Sequence, residues 1–134
     1  MRKPVSAALA GAAAVLLLTT SACSSGSDAV EKVDATEAVD LIEAGEHTVI
    51  DVRTPGEYAA AHVDGAENID VTAPTFEDIV AELDKDEEYV VYCQSGNRSA
   101  QAADKMADLG FTEIVDAGGI GELQGAGAPL VSGN

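Results

Sequence analysis

Seven consecutive residues combine a thiol, a glycine and a cation: Cys93-Gln94-Ser95-Gly96-Asn97-Arg98-Ser99. A thiol becomes a good nucleophile on ionisation, which unpaired backbone N–H groups, a helix N-terminus and a nearby cation all favour. The apolar run Tyr89-Val90-Val91-Tyr92 reads as a buried strand ending directly before Cys93. A helix is expected to begin near Arg98 or Ser99 and run to Leu109, with Ala102, Met106 and Leu109 inward and Gly110 as its stop. Gly96 allows the loop to curl its N–H groups inward, and Arg98 adds a fixed positive charge. The segment thus reads as a small anion cradle with a nucleophile at its floor. An isolated cysteine ending a strand is often inert; the spacing of Gly96, Arg98 and Ser99 around this one argues for chemistry.

The elements that must position this loop follow from periodicity. Asp34 with Glu37 resembles a capping box, opening a helix with Val39 and Ile42 on one face and Gly45 at its end. Thr48-Val49-Ile50-Asp51-Val52 is a β-branched run expected to be a buried strand. Pro55 to Ala61 suits one or two helical turns, and Ala66 to Ile69 a short strand. Phe76, Ile79, Val80 and Leu83 are spaced as an amphipathic helix. Thr112 to Val115 is expected to be a further strand. Short apolar strands alternating with helices predict an α/β fold: a mainly parallel central sheet of about four to five strands covered by helices on both faces. In such sheets functional loops gather at the carboxyl ends of the strands. Asp51 and Arg53 lie at such an end, followed by Glu57. Asp51 and Glu57 are expected to support the loop by pairing an acid with Arg98, while Arg53 either attracts an anionic donor or forms a surface ion pair.

Composition narrows the options. The chain has 134 residues, room for one small domain. Its 24 Asp and Glu against 7 Lys and Arg give a formal charge of −17, which argues against nucleic-acid binding and against docking on anionic lipid by charge alone. Such a surface suits a basic partner protein instead. Aromatics make up 4 % with no Trp, too few for base-stacking platforms. The 2 cysteines cannot build a disulfide framework. His47 and His62 have no companions at metal-ligand spacing, so no metal is expected; His47 is expected to be exposed.

Residues 1–22 read as an export signal. Arg2 and Lys3 precede the 12 uncharged residues Ala7–Leu18, short of the ~20 a membrane span needs. Thr20-Ser21-Ala22-Cys23 resembles a bacterial lipobox, with Thr20 where Leu or Val is usual. Cys23 is therefore expected to carry lipid, anchoring the protein to the outer face of a bacterial cell membrane, with 23–33 as a flexible tether and 34–134 as the folded domain.

The loop resembles the C-x-x-G-x-R-S active-site loop of rhodanese-type sulfurtransferases. Val49-Ile50-Asp51-Val52-Arg53, Glu57-Tyr58, His62-Val63 and Gly65-Ala66-Glu67-Asn68-Ile69 resemble the family's first signature, and Gly118-Gly119-Ile120 matches a third. The likeness spans roughly residues 30–131; Leu123 stands where the family often has Trp. It implies that Cys93 takes a sulfane sulfur from a small anionic donor such as thiosulfate and holds it as a persulfide. Residues 94–99 would cradle the terminal sulfur, and cyanide or a thiol would remove it, with no cofactor. It further implies a structural hydrogen bond at His62 and a single-domain protein, expected to be a monomer. Two alternatives differ in class. Rhodanese-like domains lacking the cysteine serve as regulatory binding modules, which the retained Cys93 argues against. The related phosphatases and arsenate reductases use C-x5-R, whereas only four residues separate Cys93 from Arg98. A tighter cradle suits one sulfur better than a tetrahedral oxyanion.

Overall fold

The computed structural model describes residues 28–134, and the expectations for the export signal and Cys23 lie outside these residues. In chain order the elements are β1 (Val30–Lys32), α1 (Ala35–Ala44), β2 (Thr48–Asp51), α2 (Pro55–Ala60), β3 (His62–Val63), β4 (Glu67–Asn68), α3 (Phe76–Ala81), β5 (Glu88–Cys93), α4 (Asn97–Asp108), β6 (Glu113–Gly119), α5 (Ile120–Gly125) and β7 (Leu130–Val131). Five strands form one sheet in the order β1-β6-β5-β2-β4, and every neighbouring pair in it is parallel. The remaining two strands, β3 and β7, make a small antiparallel pair.

Alternation along the strands explains why both faces need cover. Tyr89, Val91 and Cys93 face one core with Ile50 and Val52, against Phe76 and Val80 of α3 and Ala102, Ala103 and Met106 of α4. Val90, Tyr92 and Val49 face the other core, against Ala38 and Val39 of α1 and Ile120 and Leu123 of α5. Leu123, in the position where the family often has Trp, is fully buried there.

Several boundaries differ from those expected. Val30–Lys32, assigned to the tether, is instead a strand pairing with Ile114–Asp116 of β6, so the folded region starts earlier than residue 34. The strand expected to end at Val115 runs on to Gly119. Helix α3 stops at Ala81, before Leu83, and Ile79 points outward at 46 % exposure while Phe76 and Val80 are buried. With only six residues, α3 presents a narrower apolar stripe than the full spacing implies. His47 is half-buried, its Nδ1 3.5 Å from a Glu88 carboxylate oxygen, and is not the exposed residue expected.

Among the described residues no helix is long and apolar enough to cross a membrane, and no group of three or more His, Cys, Asp and Glu could hold a metal.

Candidate active site

Because the sheet is parallel, Asp51, Asn68, Cys93 and Gly119 end their strands on the same edge. Cys93 is the last residue of β5 and is fully buried. After it the chain turns through Gln94 and Ser95 to Gly96, whose φ of 95° is left-handed and favours glycine. Gly96 caps α4, which opens with the exposed Asn97. The turn brings the Gly96 N–H to 2.9 Å from Cys93 Sγ, and Ser99 Oγ stands 3.6 Å from the same sulfur. Burial raises the thiol's pKa, but hydrogen bonds that the ionised sulfur can accept from the Ser99 hydroxyl and from the N–H groups of Ser99, Gly96 and Ser95 outweigh it. The net direction is downward, towards thiolate.

The family's glycine pair has a steric reason here. Gly119 lies opposite Cys93, and a Cβ on it would stand 2.7 Å from the Gln94 carbonyl oxygen. Any side chain would push the loop away from β6.

Two arginines flank the loop, each with its own carboxylate. Arg98 makes a two-point contact with Glu57, 2.7 Å from each nitrogen to a separate oxygen. Glu57 is pre-positioned by a capping box at the start of α2: Thr54 N–H donates to its carboxylate at 3.0 Å, and Glu57 N–H donates to Thr54 Oγ. The Arg98 hydrogen bonds, above all, hold the Glu57 carboxyl down at about 2. The acid pairing with Arg98 is therefore Glu57 and not Asp51.

Asp51 instead closes on Arg53, with Nη2 2.6 Å and Nε 3.1 Å from its Oδ2. This corrects both readings of Arg53: at 3 % exposure it is neither a free anion attractor nor half of a surface pair. Burial works against its charge, but the hydrogen bonds and charge of Asp51 prevail and its pKa is raised. Its remaining donors reach the Ala61 carbonyl at 2.6 Å and Gln94 Oε1 at 3.1 Å, so Arg53 ties the loop to β2. The Tyr92 hydroxyl donates to Asp51 at 2.7 Å and accepts from Val63 N–H. Burial chiefly pushes that phenol upward, so it stays protonated. Asn68 donates to the carbonyls of Asp51 and Arg53 and fixes the turn after β2. His62 Nδ1 lies 2.9 Å from the Tyr58 carbonyl, and the two rings stack at 3.7 Å.

The structure also brings in Asp116, which lies one residue beyond the expected end of its strand. It is 3 % exposed and accepts from Ser99 Oγ at 2.7 Å and from Gly118 N–H at 3.1 Å. Its signal was an acid inside the apolar run Ile114-Val115-Asp116-Ala117, directly before Gly118-Gly119. An open cleft of about 320 Å³ adjoins the loop, lined by Arg53, Glu57, Ala60, Gln94, Ile120 and Leu130 among others. A second depression, of about 230 Å³, carries Asp28, Glu31, Glu88 and Glu113 and contains no nucleophile.

A thiol held in an N–H cradle at the carboxyl edge of a parallel sheet defines a class of nucleophilic cysteine domain. The comparisons narrow it. The family described as Rhodanese-like domain matches residues 34–125, and the chain belongs to that family. Thiosulfate sulfurtransferase PspE of Escherichia coli is 38 % identical over 80 residues, covering 60 % of this chain and 76 % of that protein. Thiosulfate sulfurtransferase GlpE of Pseudomonas paraeruginosa is 34 % identical over 97 residues, covering 72 % and 86 % respectively. Among solved structures, a rhodanese-related protein of Thermoplasma volcanium superposes with a TM-score of 0.65 at 30 % identity, over 75 % of this chain and 97 % of that one.

Proposed function

We propose that this protein is an exported sulfurtransferase that moves a sulfane sulfur through a persulfide on Cys93. The observation that carries the reading is the Gly96 N–H directed at Cys93 Sγ, 2.9 Å away, in a loop that opens a helix. The Cys93 thiolate attacks the outer sulfur of a donor such as thiosulfate. The donor's S–S bond breaks, its electron pair leaves with sulfite, and Cys93 carries the extra sulfur. The loop N–H groups then stabilise the anionic terminal sulfur. Cyanide or a thiolate attacks that sulfur, and Cys93 departs as thiolate, ready for another cycle.

The names of the PspE and GlpE relatives support this chemistry. The Arg98 guanidinium weighs against the phosphatase reading, since both of its terminal nitrogens are engaged by Glu57. The retained Cys93 weighs against a purely regulatory module. Export and lipid anchoring at Cys23 rest on the charged start, apolar run and lipobox-like residues of the sequence. In this reading the domain works as a monomer at the outer face of the membrane, and its acidic surface favours a basic partner. Replacing Cys23 by Ser should release it from membranes with sulfur transfer intact; unchanged fractionation would refute the anchor.

The test of the chemistry is Cys93→Ser, close in size to the native residue and unable to form a persulfide. Transfer from thiosulfate to cyanide should vanish with the circular-dichroism spectrum unchanged. Thiosulfate-treated wild type should gain about 32 Da, one sulfur, on the Cys93 peptide. Activity of the variant within tenfold of wild type, about 1.4 kcal/mol of barrier, would place the chemistry elsewhere.

A further inference from the structure

The sulfur mechanism makes no use of Asp116, yet this buried carboxylate reaches the nucleophile through one atom. The Ser99 hydroxyl has a single proton to donate. Three acceptors compete for it: Asp116 Oδ1 at 2.7 Å, the Gly96 carbonyl at 3.0 Å and Cys93 Sγ at 3.6 Å. An ionised carboxylate at the shortest distance wins that competition. The hydroxyl then turns a lone pair to the sulfur, and the Cys93 thiol donates to it.

A thiolate has no proton to give. For Ser99 to stabilise it, the hydroxyl must leave Asp116 and donate to sulfur instead. Asp116 would then keep only the Gly118 N–H at 3.1 Å. Each ionisation of Cys93 would therefore cost this buried carboxylate one of its two hydrogen bonds, a cost that opposes the thiolate. Ionisation of Cys93 and the Ser99–Asp116 hydrogen bond are thus coupled through one hydroxyl proton.

We propose that Asp116 is a positioning residue for the sulfur chemistry: by holding the Ser99 hydroxyl proton, its carboxylate sets the fraction of Cys93 present as thiolate. The proposal rests on the sulfurtransferase reading, in which thiolate is the form that attacks the donor, and deepens it.

The other charges around Cys93 are already matched or lie in solvent. From α4 comes Arg98, neutralised by Glu57 of α2. From the end of β2 come Asp51 and Arg53, closed on each other. Glu122 of α5 is exposed, with Oε2 near Gly118, and Asp70 accepts from Thr72 and acts on Arg98. Among these, Asp116 of β6 is the buried charge bound to a group that touches the sulfur.

The experiment is the pH dependence of Cys93 alkylation by iodoacetamide, followed on the Cys93 peptide by mass spectrometry. Asp116→Asn keeps a carbonyl oxygen for Ser99 and Gly118 and removes the charge. Its midpoint should fall by about one pH unit, giving roughly tenfold faster alkylation well below the midpoint. An unchanged midpoint would overturn the proposal. So would a raised one, which would make Asp116 a base for the thiol. The wild-type protein gives a check that needs no folded variant. The Asp116 carboxyl carbon should show a step in its NMR shift at the Cys93 midpoint, and Cys93→Ser should abolish it; absence of the step in wild type would overturn the proposal. Thiosulfate turnover is measured separately. Wild type with the coupled titration but no turnover would refute the sulfurtransferase reading while supporting the role of Asp116.

Discussion

Two arginine–carboxylate pairs flank the Cys93 loop, and their surroundings divide the work between them. Arg53 and Asp51 are buried at the end of β2, with side chains 4 % and 0 % exposed. Arg98 and Glu57 join α4 to α2 with side chains 25 % and 32 % exposed. Deep burial makes each charge depend on its partner, because water cannot replace a missing one. Partial exposure leaves water as a substitute, so the second pair contributes geometry more than stability. The buried pair therefore fixes the floor of the site, through Gln94 and the turn after β2. The outer pair fixes the direction of the Arg98 side chain at the start of α4.

The sharpest way to break this contrast is to leave one buried charge alone. Arg53→Met should strand the Asp51 carboxylate among Tyr92 and backbone groups. The expected loss is about 3–5 kcal/mol of unfolding free energy, read from urea denaturation. A loss below about 1 kcal/mol would show that the buried pair behaves like a surface one.

Loop length sets the next effect. One glycine inserted after Gly96 would give five residues between Cys93 and Arg98, the phosphatase spacing. The cradle should widen and its N–H groups leave the sulfur. Removing a donor of this kind costs ~3–4 kcal/mol of transition-state stabilisation, so thiosulfate turnover should drop at least a hundredfold. Inhibition by phosphate should strengthen if Arg98 is released from Glu57 towards the wider cradle. Unchanged turnover and phosphate affinity in a folded variant would remove loop length as the selector of sulfur.

The loop, its flanking strand and its helix were legible in the sequence because each is encoded locally: a run of apolar residues, a glycine and helical spacing within residues 88–109. What escaped depends on partners distant in the chain. The three-residue β1 is a strand only because Ile114–Asp116 lies beside it. Which acid meets which arginine has the same origin. Asp51 and Arg53 are two residues apart, which places them on one side of an extended segment, a periodicity that could have paired them. Glu57 meets Arg98 across 41 positions, which no local rule supplies. The Thr54–Glu57 capping box was readable, and it would have indicated that the Glu57 carboxylate was held in place.

A milder substitution tests the outer pair. Arg98→Lys keeps the charge and loses the two-point fork. Unfolding free energy should change by about 1 kcal/mol or less. Thiosulfate turnover should fall more than stability does, since the start of α4 positions Ser99 and the loop. A variant with wild-type turnover would show that the direction of Arg98 is immaterial to the chemistry.

The smallest effect is the pH dependence of that same pair. Glu57 is held at about 2 against an ordinary value of 4.5, chiefly by the Arg98 hydrogen bonds. A carboxyl depressed in the folded state binds protons more readily in the unfolded chain. Its contribution is therefore fully present above pH 4.5 and is lost as pH falls towards about 2. Arg98→Met removes the main cause of the depression and leaves the smaller Thr54 contributions. The stability difference between wild type and Arg98→Met should be constant near neutrality and shrink across that acid window. Because the pair is a quarter to a third exposed, screening keeps the difference at about 1 kcal/mol or less. Urea midpoints at pH 7, 4 and 2.5 measure it. A difference that persists undiminished at pH 2.5 would mean that Arg98 stabilises the fold through the packing of its aliphatic stem, and the outer pair would then contribute no electrostatic stability.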